Sequence, residues 1–451
     1  MKIYWKALTV LALLAAAALI SASTSGAQAS GKAGSGCCSI KGHYTLTVLA
    51  DQNWVQPAEK ALAAKFKKKT GITVKYNIVP DNTYQNLLTT KLNSNQNPGD
   101  IFMIQPPGGT NSGLQTTFRV KSHAVDLSHQ PWVSRESKIT RSLLTYKGKL
   151  YGQTIWDTIS GSWVIVYNKA DFAKAGIKTL PKTFAQFTAD CAKLKSKNFT
   201  PLFEPADSGS SWHPVLWFNE NLTKAEAAQP SLYKNLNDNK TTFAANKYTK
   251  KAMTEVNSLY HSGYFGSQAL TNDFANAVPA MAGGTYAMMI GNLTIPTQIH
   301  AAQSSVPLSR YGFMPVPILD NQYNNQNPGG PTKLVYKQGA HVRAAEEYLD
   351  FLAMPRNLNY LIKHEPTVVT YPWKGVIAKW TPEQKAFEHK YKPSPAPVGQ
   401  VGINYDNPQW GSIGTDMVAM FTGSLSPLQV LQNIDMRRAQ QAQAAGDPHW
   451  K

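Results

Sequence analysis

Eleven tryptophans and twenty tyrosines stand in this chain of 451 residues. Several lie beside polar residues where extended segments end, rather than in amphipathic stripes. Trp54, Trp156, Trp212, Trp373 and Trp410 are of this kind, and Asp51, Asp100, Gln105, Asp157, Glu204 and Asn292 occupy comparable settings. Indole faces pack against flat C–H surfaces, while carboxylates and amides exchange hydrogen bonds with hydroxyls. The combination suits capture of a neutral, hydroxyl-rich solute in a water-poor cleft. Competing roles exist for each. A tryptophan is about as often a partly buried core side chain, and Asp100, following Pro98-Gly99, also fits a turn. Trp163 sits in an apolar run and is assigned to the core.

Catalytic patterns are sparse. The sequence holds no G-x-S-x-G elbow, P-loop or H-E-x-x-H. Its ten histidines are scattered along the chain. No catalytic residue, metal or cofactor is therefore expected. A carboxylate pair for glycoside hydrolysis need not be close in sequence, so that route stays open.

The elements that must position these residues follow from periodicity. Tyr44–Ala50 alternates as a strand, Pro57 suits a first helical turn before Leu62 and Phe66, and Ile72–Ile78 alternates again. Strand, helix and strand at this length imply a right-handed parallel crossover. Parallel sheets bind ligands beyond the carboxyl ends of their strands, which places Asp51–Trp54 at a cleft. Asn82–Leu92 reads as a helix and Ile101–Ile104 as a buried strand with Gln105–Gly109 at its end. Trp163–Tyr167 is a further strand. Asn168 caps a turn that Gly176 stops, and Thr183 opens a helix with Phe184, Phe187, Cys191 and Leu194 on one face.

The order of pieces from Tyr146 to Lys195 resembles the extracytoplasmic solute-binding proteins of ABC importers, in particular the sugar and oligosaccharide group. Gly148-Lys149-Leu150-Tyr151-Gly152, Tyr167-Asn168-Lys169 leading to Ala175-Gly176, and Pro181-Lys182-Thr183 reproduce that family's pattern in order. Gln153-Thr154-Ile155 replaces its usual proline-containing stretch. The Trp that often follows the strand at Thr285–Ile290 is absent, with Gly291-Asn292-Leu293-Thr294 in its place, whereas Trp410 occupies the position of a cleft-facing aromatic residue. The resemblance spans Tyr44 to Arg438.

It implies an α/β, two-lobed periplasmic-binding-protein fold of type II: mostly parallel sheets, flanking helices and a central cleft. Residues 44–119 and 331–372 would form one lobe, and 120–330 and 373–445 the other. It further implies capture of a mono- or oligosaccharide between the lobes by a monomer, closure about a hinge in the crossings, and delivery to the transmembrane subunits of an ABC permease. Other readings are a receptor for a polyamine or peptide, a secreted carbohydrate-active hydrolase, or an adhesin using a basic face.

Composition fits an exported globular chain, with 42% hydrophobic and 16% charged residues. Lys2 and Lys6 precede the apolar run Ala7–Ile20, too short to span a bilayer, so residues 1–36 read as a leader and linker. Cleavage after Ala27-Gln28-Ala29 and lipid attachment at Cys37, after Gly34-Ser35-Gly36, are the two outcomes. Either an extracytoplasmic soluble protein or a surface lipoprotein results. Three cysteines provide no disulfide framework, and Cys191 fits a buried apolar position. The net charge of +18 falls to +15 without residues 1–36, which hold Lys2, Lys6 and Lys32 and no acid. Scattered lysines on an exported chain favour an anionic envelope or an acidic habitat over nucleic acid.

Overall fold

A computed structural model describes residues 37–52, 54–107, 112–158 and 163–451. The leader, both cleavage positions preceding Cys37, and Gly108-Gly109 lie outside them.

The strands, in chain order, are β1 (Thr45–Asp51), β2 (Thr73–Val79), β3 (Ile101–Ile104), β4 (Gln153–Thr154), β5 (Trp163–Asn168), β6 (Thr200–Phe203), β7 (Tyr286–Asn292), β8 (Tyr311–Met314), β9 (Asn324–Gln326), β10 (Thr332–Val335) and β11 (Pro393–Pro397). They build two principal sheets. The first has the order β2-β1-β3-β10-β4 and the second β8-β5-β7-β6. The helix Pro57–Thr70 joins β1 to β2, which pair in parallel from Thr45 opposite Thr73 to Asp51 opposite Val79. Both sheets are mixed rather than mostly parallel. β10 runs antiparallel to β3 and β4, and in the second sheet only β6 and β7 are parallel. Strands that return from the other lobe enter in the reverse sense, a pairing that hydrophobic alternation does not reveal.

Each sheet is covered on both faces. One face of the first packs Leu46, Val48, Ile101 and Val335 against Phe66, Leu349 and Trp373, and the other packs Phe102 and Leu334 against Tyr84 and Leu114. In the second, Ile165 faces Phe187 and Trp217 while its neighbours Val164 and Val166 face Met281 and Ile299. That period of two is what a strand buried on both sides requires. Local signals hold well. Asn168 accepts from Ala170 N at 3.0 Å, Thr183 from Gln186 N at 3.2 Å, and Cys191 is buried. Cys37 and Cys38 are joined to each other by a disulfide.

The boundary between lobes differs from the sequence reading, which put the crossing at 120. Val120, Leu127, Trp132, Leu144, Leu150 and Ile155 pack into the cores of the first sheet, and β4 is its edge strand. The chain passes to the second sheet between Ile155, in the first core, and Trp163, at the start of β5. It returns between Leu319, in the second core, and Thr332, at the start of β10, and crosses again after Trp373, which also belongs to the first lobe. Trp373 is 5% exposed, packs on Trp132 and donates from Nε1 to Thr154 O at 2.8 Å. It is a brace under the first crossing rather than a ligand platform.

Trp373→Ala should therefore destabilise the chain by about 3–5 kcal/mol, the range for deleting a buried large aromatic side chain. Equilibrium denaturation by urea measures it, and a cost under about 1 kcal/mol would contradict the assignment.

Candidate functional site

The carboxyl ends of β1, β2 and β3 lie at one edge of the first sheet. Thr332 and Thr154 share that edge, since Thr332 pairs with both Ile104 and Thr154. In the second sheet the end of β7 pairs with the start of β5, Asn292 opposite Trp163, beside the end of β6. The crossings leave from these edges, so a cleft bounded by both is where a solute can touch both lobes.

Contacts between the lobes locate its floor. Asn407 Nδ2 donates to Pro106 O, just beyond β3, at 3.2 Å, and Gln400 Nε2 donates to Asn407 Oδ1 at 2.8 Å. Gly329 lies against Val401 of the second lobe, with Gln105 Nε2 close by. A Cβ on Gly330 would come within 2.7 Å of the Trp156 ring, so only glycine allows that indole its place. Gln105 and Trp156 are both half-buried.

The second lobe contributes an aromatic wall. Trp163, Trp212 and Trp410 are half-buried. Trp163 and Trp212 have ring centroids 5.7 Å apart, Trp212 meets Phe274 edge-on at 5.1 Å, and Trp410 Nε1 donates to Trp212 O at 3.1 Å. Gly414, one turn beyond Trp410, approaches the backbone of Ser211 so closely that a Cβ would fall 1.9 Å from its carbonyl oxygen. That approach holds the helix Trp410–Phe421 against Ser211 and Trp212. Trp163, assigned to the core from the apolar run it opens, packs against the core of the second sheet while staying half-buried. Asn407 and Gln400 take part in the contact between the lobes, and polar residues in a helical connection give no local signal of it.

Several expected ligand contacts are instead internal braces. Asp100 lies at the opposite end of the first sheet from the cleft, where it accepts from Thr47 N at 2.8 Å and lies 3.2 Å from His341 Nδ1. Glu204 is fully buried. Its Oε2 accepts from Trp217 Nε1 at 2.6 Å and its Oε1 lies 2.9 Å from His213 Nδ1. Asp157, in the first crossing, accepts from Val369 N at 2.7 Å and Thr370 N at 3.0 Å. Asn292 is half-buried and accepts from Thr294 N at 3.0 Å, shaping its own turn. Asp51 is buried at the end of β1, while Trp54 is half-buried and edge-on to Tyr84 at 5.2 Å. Trp54, Gln105, Trp156, Trp212 and Trp410 thus keep exposed surface at the cleft edges, and Trp163 joins them.

Two lobes, each a helix-covered sheet, with a polar-aromatic cleft between three crossings, define a two-lobed solute receptor. The family described as bacterial extracellular solute-binding protein matches residues 51–357, more than half the chain, and the chain belongs to that family. It is 32% identical over 171 residues to the diacetylchitobiose binding protein DasA of Streptomyces coelicolor, a stretch covering 38% of each protein. Among solved structures it is similar to a chitin oligosaccharide binding protein, with a TM-score of 0.73 at 19% identity over 89% of this chain and 99% of that one. A Bifidobacterium animalis subsp. lactis ABC-transporter binding protein in complex with mannobiose gives a TM-score of 0.66 at 20% identity, covering 90% and 95%. Among the described residues, no helix is long and apolar enough to cross a membrane.

Buried carboxyls near the crossings give stability a definite pH dependence. Glu136 accepts from Thr154 N at 2.9 Å, and burial pushes its carboxyl up to about 8 despite that bond. Burial likewise pushes Glu220 to about 8 and Asp406 to about 6. Unfolded carboxyls titrate near about 4. At intermediate pH the folded chain therefore holds protons that the unfolded chain has released. This contribution is complete below the unfolded values and drains as pH rises towards 8. The melting temperature should fall from pH 6 to pH 9, and Glu136→Gln should fall less steeply in a calorimetric series. Parallel curves for the two proteins would refute the assignment.

Proposed function

We propose that the chain is the extracytoplasmic receptor of an ABC importer and that its solute is a neutral oligosaccharide, most specifically a short oligomer of N-acetylated amino sugars. The observation that carries this is the cluster of half-buried indoles Trp163, Trp212 and Trp410, close in the chain to Asn407, whose amide reaches Pro106 of the first lobe. Such surfaces match pyranose C–H faces and hydroxyl or acetamido groups. The carboxylates that could have received a cationic ligand support the same choice. Asp100, Asp157 and Glu204 spend their acceptors on internal donors, which leaves a polyamine without those partners. The names of DasA and of the chitin oligosaccharide binding protein point to amino-sugar oligomers. Both are binding proteins, and no catalytic role is proposed.

Solute touching both walls favours the closed arrangement, which the permease then engages. N-acetylglucosamine oligomers of two to four units should raise the melting temperature, since a ligand at 100 times its Kd adds about 2.7 kcal/mol to native stability. Trp410→Ala should abolish the shift while the ligand-free protein still unfolds cooperatively, and X-ray scattering should show compaction. A shift given only by polyamines or peptides, or turnover of a glycoside, would overturn the reading.

We also propose that the mature chain begins at Cys37 with a lipid on its sulfur, which requires that sulfur to be free of Cys38. Mass spectrometry of the N-terminal peptide from the native host tests this, and an unmodified peptide beginning at Ser30 would exclude it.

A further inference from the structure

The lysines on the first lobe are not dispersed evenly. Between Cys37 and Pro80 the chain carries Lys41, Lys60, Lys65, Lys67, Lys68, Lys69 and Lys75, all exposed, and two acids, Asp51 and Glu59, both buried. Glu59 points inward, where it meets Lys333 Nζ at 2.9 Å and accepts from Tyr76 OH. The helix Pro57–Thr70 buries Leu62, Ala63 and Phe66 and turns Lys60, Ala64, Lys67 and Lys68 outward, with Lys65 lying over the ring of Tyr360. A shallow groove of 380 Å³ runs between this helix and the edge strand β2. It is lined by Lys60, Lys67, Ala64, Val74 and Tyr76, with Ile78 exposed at its rim.

The chain enters the folded body at this same end. Cys38 is buried in the first core, Ser39 and Ile40 donate to Glu347, and Lys41 Nζ meets the carbonyl of Lys69. Gly42 N donates to Thr70 O at 2.9 Å. The stretch Cys38–Gly42 therefore lies beside the lysine-rich end of the helix Pro57–Thr70. From Cys37 to Lys41 the chain reaches at most about 14 Å, so a membrane attachment at Cys37 brings these lysines close to the headgroups.

We infer that this end of the first lobe is a docking surface for an anionic lipid bilayer, with Lys60, Lys67, Lys68 and Lys69 meeting phosphate headgroups. Polybasic surfaces bind anionic membranes without needing a lipid anchor and strengthen a weak one. The inference is independent of the carbohydrate reading, because these lysines take no part in the cleft.

Co-sedimentation of the unlipidated chain, its leader removed, with vesicles tests it. Binding is expected to phosphatidylglycerol–phosphatidylcholine vesicles at low salt, to be absent with phosphatidylcholine alone, and to be lost in about 0.5 M salt, where screening is short-ranged. The triple variant Lys60→Glu, Lys67→Glu, Lys68→Glu should bind at least about tenfold more weakly. An equal charge change on the second lobe, Lys195→Glu, Lys197→Glu, Lys247→Glu, should change binding less than about twofold. Both variants should melt near the parent, which separates lost docking from lost folding. Equal losses in the two variants would assign the effect to net charge and overturn the proposal. So would equal binding to both lipids, or preferential binding to soluble poly(glycerol phosphate).

Discussion

The two lobes are held in relation to each other by a set of buried hydrogen bonds among the crossings, and Asp157 is its centre. One carboxylate oxygen accepts the amides of both Val369 and Thr370, tying the first crossing to the segment that precedes the third. The second crossing is tied to the chain beyond the third where Asn324 donates to Glu388 at 2.9 Å and β9 pairs with β11. Trp373 closes the arrangement from beneath by bonding Thr154 O at the start of the first crossing. Buried charge is costly unless its acceptors are filled, so Asp157 fixes the spacing of two strands of chain that have no sheet in common. Sliding one crossing past another would strand this carboxylate without donors, so the joint resists shear.

That constraint also explains why the polar residues picked from sequence divided as they did. A residue at the end of a strand can face the cleft, the core or a neighbouring connection, and the side-chain alternation that separates two sheet faces does not extend into a loop. Asp157 and Glu204 were recognisable as carboxylates in the right region, but their roles depend on Val369, Thr370, His213 and Trp217. Of these, His213 and Trp217 were within reach of local inspection and the other two were not. Asp100 shows the complementary case. Its Pro-Gly context pointed to a turn and its region to the cleft, whereas its carboxylate accepts from Thr47, 53 positions away in β1, a contact that no local signal shows. The indoles divided too: Trp54, Trp156, Trp212 and Trp410 are half-buried, whereas Trp373 is a buried brace.

The fold was legible wherever contacts are local. The cap at Asn168 and the helix opened by Thr183 arise from spacings of a few residues, and the parallel β1–β2 pair from one strand–helix–strand unit. The lobe boundary was not, because residues 120–155 belong to the first lobe through Leu127, Trp132 and Leu150 sharing a core with side chains distant in the chain, such as Leu349 and Trp373. The antiparallel entries of β10 into the first sheet and β5 into the second are of the same kind. They follow from the chain crossing three times, a fact of topology with no trace in the periodicity of either strand.

The distribution of charge brings these threads together. The chain's net +18 arises as much from how few acids it has as from how many lysines, and the acids it keeps are often placed inside. Asp157, Glu204, Glu59, Glu136, Glu220 and Asp406 are all buried, each serving a hydrogen bond or sitting neutral in an apolar setting. Most lysines stay outside, since the ammonium needs three acceptors and the long stem allows the charge to remain in water; Lys333 is buried against Glu59. Internal bracing by carboxylates therefore leaves an outer surface of one sign as a by-product. On the first lobe that by-product is concentrated, because the only acid on the helix Pro57–Thr70 is drawn inward by Lys333 and Tyr76. The same ion pair that secures β10 against the helix removes the one negative charge that would otherwise interrupt its lysine face.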